Sequence, residues 1–340
     1  MTLFRSLPSG ALTALAAILA LVAGCSNLPS VNPLNWWSGK AGPKMAELQE
    51  FKQTAPLRPL WQSAVGASGE AVLFPALAAG HVFAADQAGS VTRIDAESGR
   101  VAWRASAGRK LTGGVGADAS LVVVGTGEGE VVAMEAADGN VRWRARVSSE
   151  VLAAPEVAGD LVVVRSADNR IFGLDSRDGK RRWVYQRAAQ SLAIRTPAGL
   201  VVSRGNAYAG FPGGKLVSVS LGNGGLRWEA TVAVPRGATE LERVADVVGL
   251  PWISERDACA VAFQGRVACF DLASGNAHWG RELSSVSGIG ADGRHLYVSD
   301  DRGNVHALDR NSGTSVWKQD RLAYRNPGVP LALGAEVVVG

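Results

Sequence analysis

Residues 121–124 read Leu-Val-Val-Val, an apolar run bounded by turn residues. Gly127–Gly129 separates it from Glu-Val-Val-Ala-Met-Glu at 130–135, and Asp138-Gly139 precedes the alternating Val141-Arg-Trp-Arg-Ala. An unbroken short run predicts a strand buried on both faces, strict alternation a half-exposed one, and Asp-Gly between them a hairpin turn. A further strand is predicted near Leu152. Four short antiparallel strands in about 40 residues match one blade of a β-propeller.

The unit repeats. Tryptophans stand at 61, 103, 143, 183, 228, 279 and 317, at intervals of 42, 40, 40, 45, 51 and 38. Four residues before each of the last six is a glycine: Gly99, Gly139, Gly179, Gly224, Gly275 and Gly313. Eight before is an acid, Asp95, Glu135, Asp175, Asp271 or Asp309, with Ser220 the exception. Fourteen before is a turn residue: Gly89, Gly129, Asn169, Gly214, Gly265 or Gly303. The physical roles are structural: the acid caps the turn amides, glycine takes positive φ, and tryptophan packs between neighbouring blades. Trp61 is expected on an N-terminal strand. The apolar Val337-Val-Val-Gly340 reads as the start of a new unit, which gives six full units and two partial ones. The expected fold is therefore an all-β propeller of four-stranded antiparallel blades over 57–340. Eight blades are expected, with the chain truncated before ring closure by roughly 40 residues, the length of one repeat.

Composition agrees with a folded, strand-rich chain. Hydrophobic residues make up 47% of the 340 and charged residues 19%, which excludes a long disordered chain. The length suits two ordinary domains or one large repeat-built domain. Glycine, at 41 residues, lacks the three-residue period of collagen. The basic residues are mostly scattered arginines, with no run of five and no nucleic-acid module, so a nucleic-acid partner is not expected.

Residues 1–24 carry one charge, Arg5, ahead of the apolar run Ala11 to Val22, about the length of a signal-peptide core. The run ends in Val22-Ala23-Gly24-Cys25, which resembles the lipobox of bacterial lipoproteins. That resemblance implies cleavage before Cys25 and acylation of its thiol and new N-terminus; the alternative is an ordinary secretory signal. Several acyl chains anchor stably, at about 0.8 kcal/mol per buried methylene. Ser26 follows, where lipoproteins retained at the inner membrane usually carry Asp, so the periplasmic face of the outer membrane is the expected location. Removing residues 1–24 leaves 34 Lys+Arg against 31 Asp+Glu, so little net charge remains to drive binding. Residues 25–56, interrupted by Pro29, Pro33, Pro43 and Pro56, read as a tether. Within it, Trp36 and Trp37 suit either a membrane interface or the folded body.

The stretches Val131-Val-Ala-Met-Glu-Ala-Ala-Asp-Gly-Asn-Val-Arg-Trp143 and Val305-His-Ala-Leu-Asp-Arg-Asn-Ser-Gly-Thr-Ser-Val-Trp317 resemble the tryptophan-docking repeat of pyrroloquinoline quinone (PQQ) propellers. With a lipobox in front, the chain resembles the BamB family of outer membrane protein assembly factors over nearly its whole length. The resemblance implies a non-catalytic lipoprotein scaffold in the barrel assembly machinery. Its implied partners are the BamA insertase and nascent outer membrane proteins, the latter paired at blade edges. PQQ dehydrogenases share the repeat but carry an adjacent Cys-Cys pair, a calcium site and a catalytic Asp. Here the cysteines are Cys25, Cys259 and Cys269, none adjacent. His81, His278, His295 and His306 lack metal-ligand spacing, and Gly125-x-Gly127-x-Gly129 joins two strands rather than opening a helix. No catalytic, cofactor or metal site is expected. A PQQ-binding dehydrogenase or sensor and a generic envelope adaptor are the alternatives.

Cys259 and Cys269 flank Gln264-Gly265, so they are expected to face each other across a hairpin, either as a disulfide or as two buried thiols. The intervals of 45 and 51 exceed the period, and the extra residues are expected around Ser203–Gly213 and Val232–Arg243. Elaborated loops on a rigid scaffold commonly bind partners, although insertions also drift neutrally. The family contacts BamA through a Leu-x-Leu-Arg segment and through acids one blade later. The matching residues are Leu192, Ile194 and Arg195, and then Asp246; Val248 stands at the second acidic position. An apolar pair with an arginine suits an interface anchor, while blade core is the alternative for Leu192 and Ile194.

Overall fold

The computed structural model describes residues 43–50, 58–188 and 192–340. The signal sequence, Cys25, Trp36 and Trp37 lie outside the described residues. The chain divides into two units, Met1–Lys44 and Met45–Gly340, and the second holds every strand described.

Among the described residues there is no helix. Six four-stranded antiparallel sheets follow one another at 76–106, 111–146, 156–186, 200–231, 247–282 and 289–319. In each, the strands are hydrogen-bonded in chain order, the simple meander of a propeller blade. A two-stranded sheet, Leu331–Leu333 with Glu336–Val338, comes next.

The second blade shows how the pattern becomes structure. Its second strand, Leu121–Thr126, is buried throughout, and its third, Glu130–Glu135, is buried except at its ends. Its fourth, Val141–Arg146, is half exposed, as alternation predicts. The core consists of layers between blades. One layer joins Leu121, Val123 and Trp143 of the second blade to Val162, Phe172 and Leu174 of the third.

The repeat tryptophans from Trp103 to Trp279 each dock on the turn between third and fourth strands of the following blade. The indole N–H of Trp103 donates to Ala136 O at 3.0 Å, and that of Trp143 donates to Ser176 O at 2.9 Å. Trp183, Trp228 and Trp279 do the same to Leu221 O, Leu272 O and Arg310 O. The acceptor is always the residue after the repeat acid or Ser220. The turn glycine lies beneath the ring: a Cβ on Gly179 would come within 2.6 Å of Trp143, and its φ is +72°. Glycine is thus required twice, for the left-handed turn and for close approach. Asp95, Asp271 and Asp309 accept the N–H of the serine three residues on, at 2.8, 2.8 and 2.9 Å. Asp175 caps Arg177 instead, and Glu135 pairs with Arg142.

A register shift next to the tryptophan recurs between third and fourth strands of every blade, as at Ala133/Met134 opposite Trp143. Such bulges add twist and re-aim a side chain. Two expectations are corrected. Trp61 lies outside any strand, although its indole still docks on Ala96 O of the first blade at 3.0 Å. The segment Ser203–Gly213 is the regular hairpin of the fourth blade, Leu200–Ser203 paired with Asn206–Phe211, so the first excess lies instead in the connector 187–199. The second excess does fall in a connector, 232–246. Trp317 is the exposed member of the set, at 40%.

Candidate partner-binding site

Three connectors meet on one face of the propeller. Glu150 lies ahead of the third blade's first strand (Glu156–Ala158), residues 192–199 lead into that of the fourth (Leu200–Ser203), and Asp246 immediately precedes that of the fifth (Val247–Ile253). First strands of successive blades are neighbours, so segments 50 or so residues apart in the chain become adjacent in space.

Asp246 is 4% exposed, and both its oxygens are engaged. Oδ2 accepts the Ile194 N–H at 2.7 Å, and Oδ1 accepts the Gly213 N–H at 3.2 Å. A carboxylate bonded to two backbone amides is held as a charge-assisted anchor. Arg195 extends the other way and forms a fork with Glu150, Nε to Oε1 at 3.1 Å and Nη2 to Oε2 at 2.6 Å. The bond to Arg195 holds the Glu150 carboxyl below its ordinary pKa against the opposing effect of burial, and raises Arg195 in turn.

Beneath the segment, Arg165 donates to Ala198 O at 2.9 Å and stacks over Phe211 at 4.7 Å. Burial pushes this guanidinium down to about 10, with the charge of Asp246 acting in the opposite direction. Arg165 remains cationic at neutral pH. The segment 194–198 is therefore tied to the fifth blade through Asp246, to the third through Arg165, and to the preceding connector through Glu150. Together these residues line a cleft of about 250 Å³.

The placement separates the sequence-predicted residues by role. Leu192 is 42% exposed, Ile194 is half-buried, and Arg195 remains open to solvent although paired. Asp246 is turned inward. Val248 is 1% exposed and packs among Cys259, Val261 and Leu296 between the fifth and sixth blades. Glu150 and Arg165 were not anticipated from the sequence. Neither occupies a position of the tryptophan–glycine–acid repeat, so only the packing reveals them.

Cys259 and Cys269 are directly opposed in the hairpin of the fifth blade and are joined by a disulfide with a Cα separation of 4.1 Å. Both are buried in the layer against the sixth blade, away from the cleft.

The sequence pattern of the family described as outer membrane protein assembly factor BamB matches residues 58–109 and 87–319. The chain is 46% identical to outer membrane protein assembly factor BamB of Alkalilimnicola ehrlichii over 344 aligned positions, covering 100% of this chain and 85% of the relative. It is likewise 46% identical to that of Pseudomonas aeruginosa, over 96% of this chain and 84% of the relative. Among solved structures, the crystal structure of BamB from Moraxella catarrhalis superposes with a TM-score of 0.74 at 28% identity, covering 79% of this chain and 81% of that one.

Proposed function

Because the chain belongs to the family of outer membrane protein assembly factor BamB, we propose that it is a non-catalytic scaffold holding the periplasmic domains of the BamA insertase. In this reading the chain is fixed to the outer membrane, on its periplasmic side, by lipid on Cys25. The propeller supplies a rigid platform, and its work is positioning: it assists folding and insertion of outer membrane proteins by keeping the insertase's soluble domains in place.

The observation that carries this reading is the clamped segment 192–198. Leu192 is exposed at the rim of a segment whose backbone is fixed by Asp246 and Arg165. An apolar side chain presented on a preorganised backbone loses little conformational entropy on binding, which is what an interface anchor requires. Arg195, already forked on Glu150, offers its remaining N–H groups to a carbonyl or carboxylate of the partner. Asp246 then acts as a positioning residue rather than as a direct contact.

Co-purification with BamA from detergent-solubilised membranes tests the assignment. Replacing both Leu192→Glu and Arg195→Glu is expected to reduce recovered BamA at least tenfold while leaving the propeller folded. Unchanged recovery from a folded double variant sinks the site.

A further inference from the structure

Strand direction places the connectors between blades on one face and the turns after first and third strands on the other. On that second face, the second and third blades each hold an arginine at the start of the fourth strand against the repeat acid. Arg142 forks onto Glu135 at 2.6 and 2.5 Å. Arg182 bonds Asp175 at 3.0 and 2.6 Å and is also held by Asp160. In the fourth blade both carboxylates are gone. Register equates Leu161–Asp175 with Asn206–Ser220, so Ser220 replaces the acid and Gly205 stands where Asp160 was. Arg227, the counterpart of Arg182, reaches only the Ser220 hydroxyl, at 3.4 Å. Arg204, one residue before Gly205, adds a second positive charge, and Arg256, from the corresponding turn of the fifth blade, adds a third.

These three arginines line one cleft between the fourth and fifth blades, about 340 Å³ in volume, with Tyr208 and Trp228 among its walls. Among the described residues none of the three makes an ion pair. Two carboxylates also line the cleft. Asp271 accepts the Ser274 N–H and hydroxyl on Oδ1, at 2.8 and 2.6 Å, and Glu255, like the three arginines, is exposed.

We propose that this cleft binds a phosphate-class anion between Arg204, Arg227 and Arg256. Three guanidinium forks call for more acceptor oxygens, and more charge, than one carboxylate supplies, and arginine is matched to phosphate geometry. The cleft opens on the face opposite Leu192–Arg195, so it is independent of the BamA reading and can be filled while a partner occupies the other face. The same chemistry is offered by free phosphate and by an anionic phospholipid headgroup.

Calorimetric titration of the purified full chain tests this, using inorganic phosphate, short-chain phosphatidylglycerol and short-chain phosphatidylcholine. Saturable binding of phosphate or phosphatidylglycerol, without binding of phosphatidylcholine, is expected; phosphatidylglycerol alone would identify the lipid source, and phosphate binding the free ion. Combined Arg204→Gln and Arg227→Gln replacement should weaken binding at least tenfold. Ser220→Asp should do the same with every arginine retained, because it restores the carboxylate that holds this arginine in the neighbouring blade. Arg294→Gln, in the equivalent turn of the sixth blade, should leave binding unchanged. Near-ultraviolet circular dichroism confirms that each variant is folded. Absence of saturable binding, or binding unaffected in both the double variant and Ser220→Asp, overturns the proposal.

Discussion

Asp246 accepts the backbone N–H of Ile194 at 2.7 Å across 52 residues of chain, and so joins the connectors of the fourth and fifth blades. The bond fixes the segment that carries Leu192 and Arg195 without presenting Asp246 itself to solvent. Asp246→Ala leaves the amides of Ile194 and Gly213 without acceptors and removes the counter-charge facing Arg165. A loss of about 1–3 kcal/mol in local stability is expected. Hydrogen exchange at residues 194–198 should speed by one to two orders of magnitude, while exchange in the second blade stays unchanged. Unaltered protection over 194–198 would show that the segment is held by other contacts.

The tryptophan dock gives a second prediction, through two glycines that differ in one respect. Gly179 and Gly159 both have left-handed backbones, at φ +72° and +63°. A Cβ at Gly159 meets nothing within 4 Å, whereas at Gly179 it lies 2.6 Å from the Trp143 ring. Gly159→Ala should therefore cost only the backbone strain, about 1–2 kcal/mol. Gly179→Ala adds a steric clash and should cost about 1–3 kcal/mol more. Urea denaturation of both variants measures the difference directly. Equal losses would mean that the ring moves aside freely and that the dock is not a tight contact.

The repeat itself was legible because every blade meets the same physical problem. Tryptophan, glycine and acid recur where a ring must lie on a turn, and the bonds from Trp103, Trp143 and Trp183 follow that period. The sequence does not locate the first insertion, because an interval between tryptophans places extra residues only to within one unit. Asn206–Phe211 also lacks polar alternation, since all but its first residue are buried and Ala and Gly fill the narrow spaces. It therefore resembles a loop when read alone. Glu150 and Arg165 leave no mark in the sequence for a different reason. Their partners lie 45 and 33 residues away, on other blades, and no local spacing encodes such pairs.

The disulfide between Cys259 and Cys269 closes a short hairpin, with a sequence separation of 10. Chain entropy for a loop of this length predicts about 2–3 kcal/mol of stabilisation. Peptide mapping after alkylation should find both cysteines blocked in the unreduced protein and both labelled after unfolding and reduction. Replacement of both by alanine should lower the unfolding free energy by a comparable amount, with further loss from the vacated core. Free labelling of both thiols in unreduced, unfolded protein would refute the bond.

Glu156 supplies the pH dependence. It lies half-buried on the first strand of the third blade, paired with Val163, and burial pushes its carboxyl up to about 7 from the ordinary 4.5. The folded chain therefore keeps a proton that the unfolded chain has already released between pH 4.5 and about 7. The resulting stabilisation is complete below 4.5 and is lost as pH rises through 7, by at most about 3 kcal/mol. Glu150 acts in the opposite sense, because its lowered pKa gives stability above the carboxylate range that is lost on acidification. Comparison with Glu156→Gln cancels that second contribution. The variant should match the parent just below pH 4.5 and exceed its unfolding free energy at pH 8 by about 2–3 kcal/mol. Urea unfolding at the two pH values decides the matter, and parallel changes in parent and variant would show that Glu156 is ionised without cost in the folded protein.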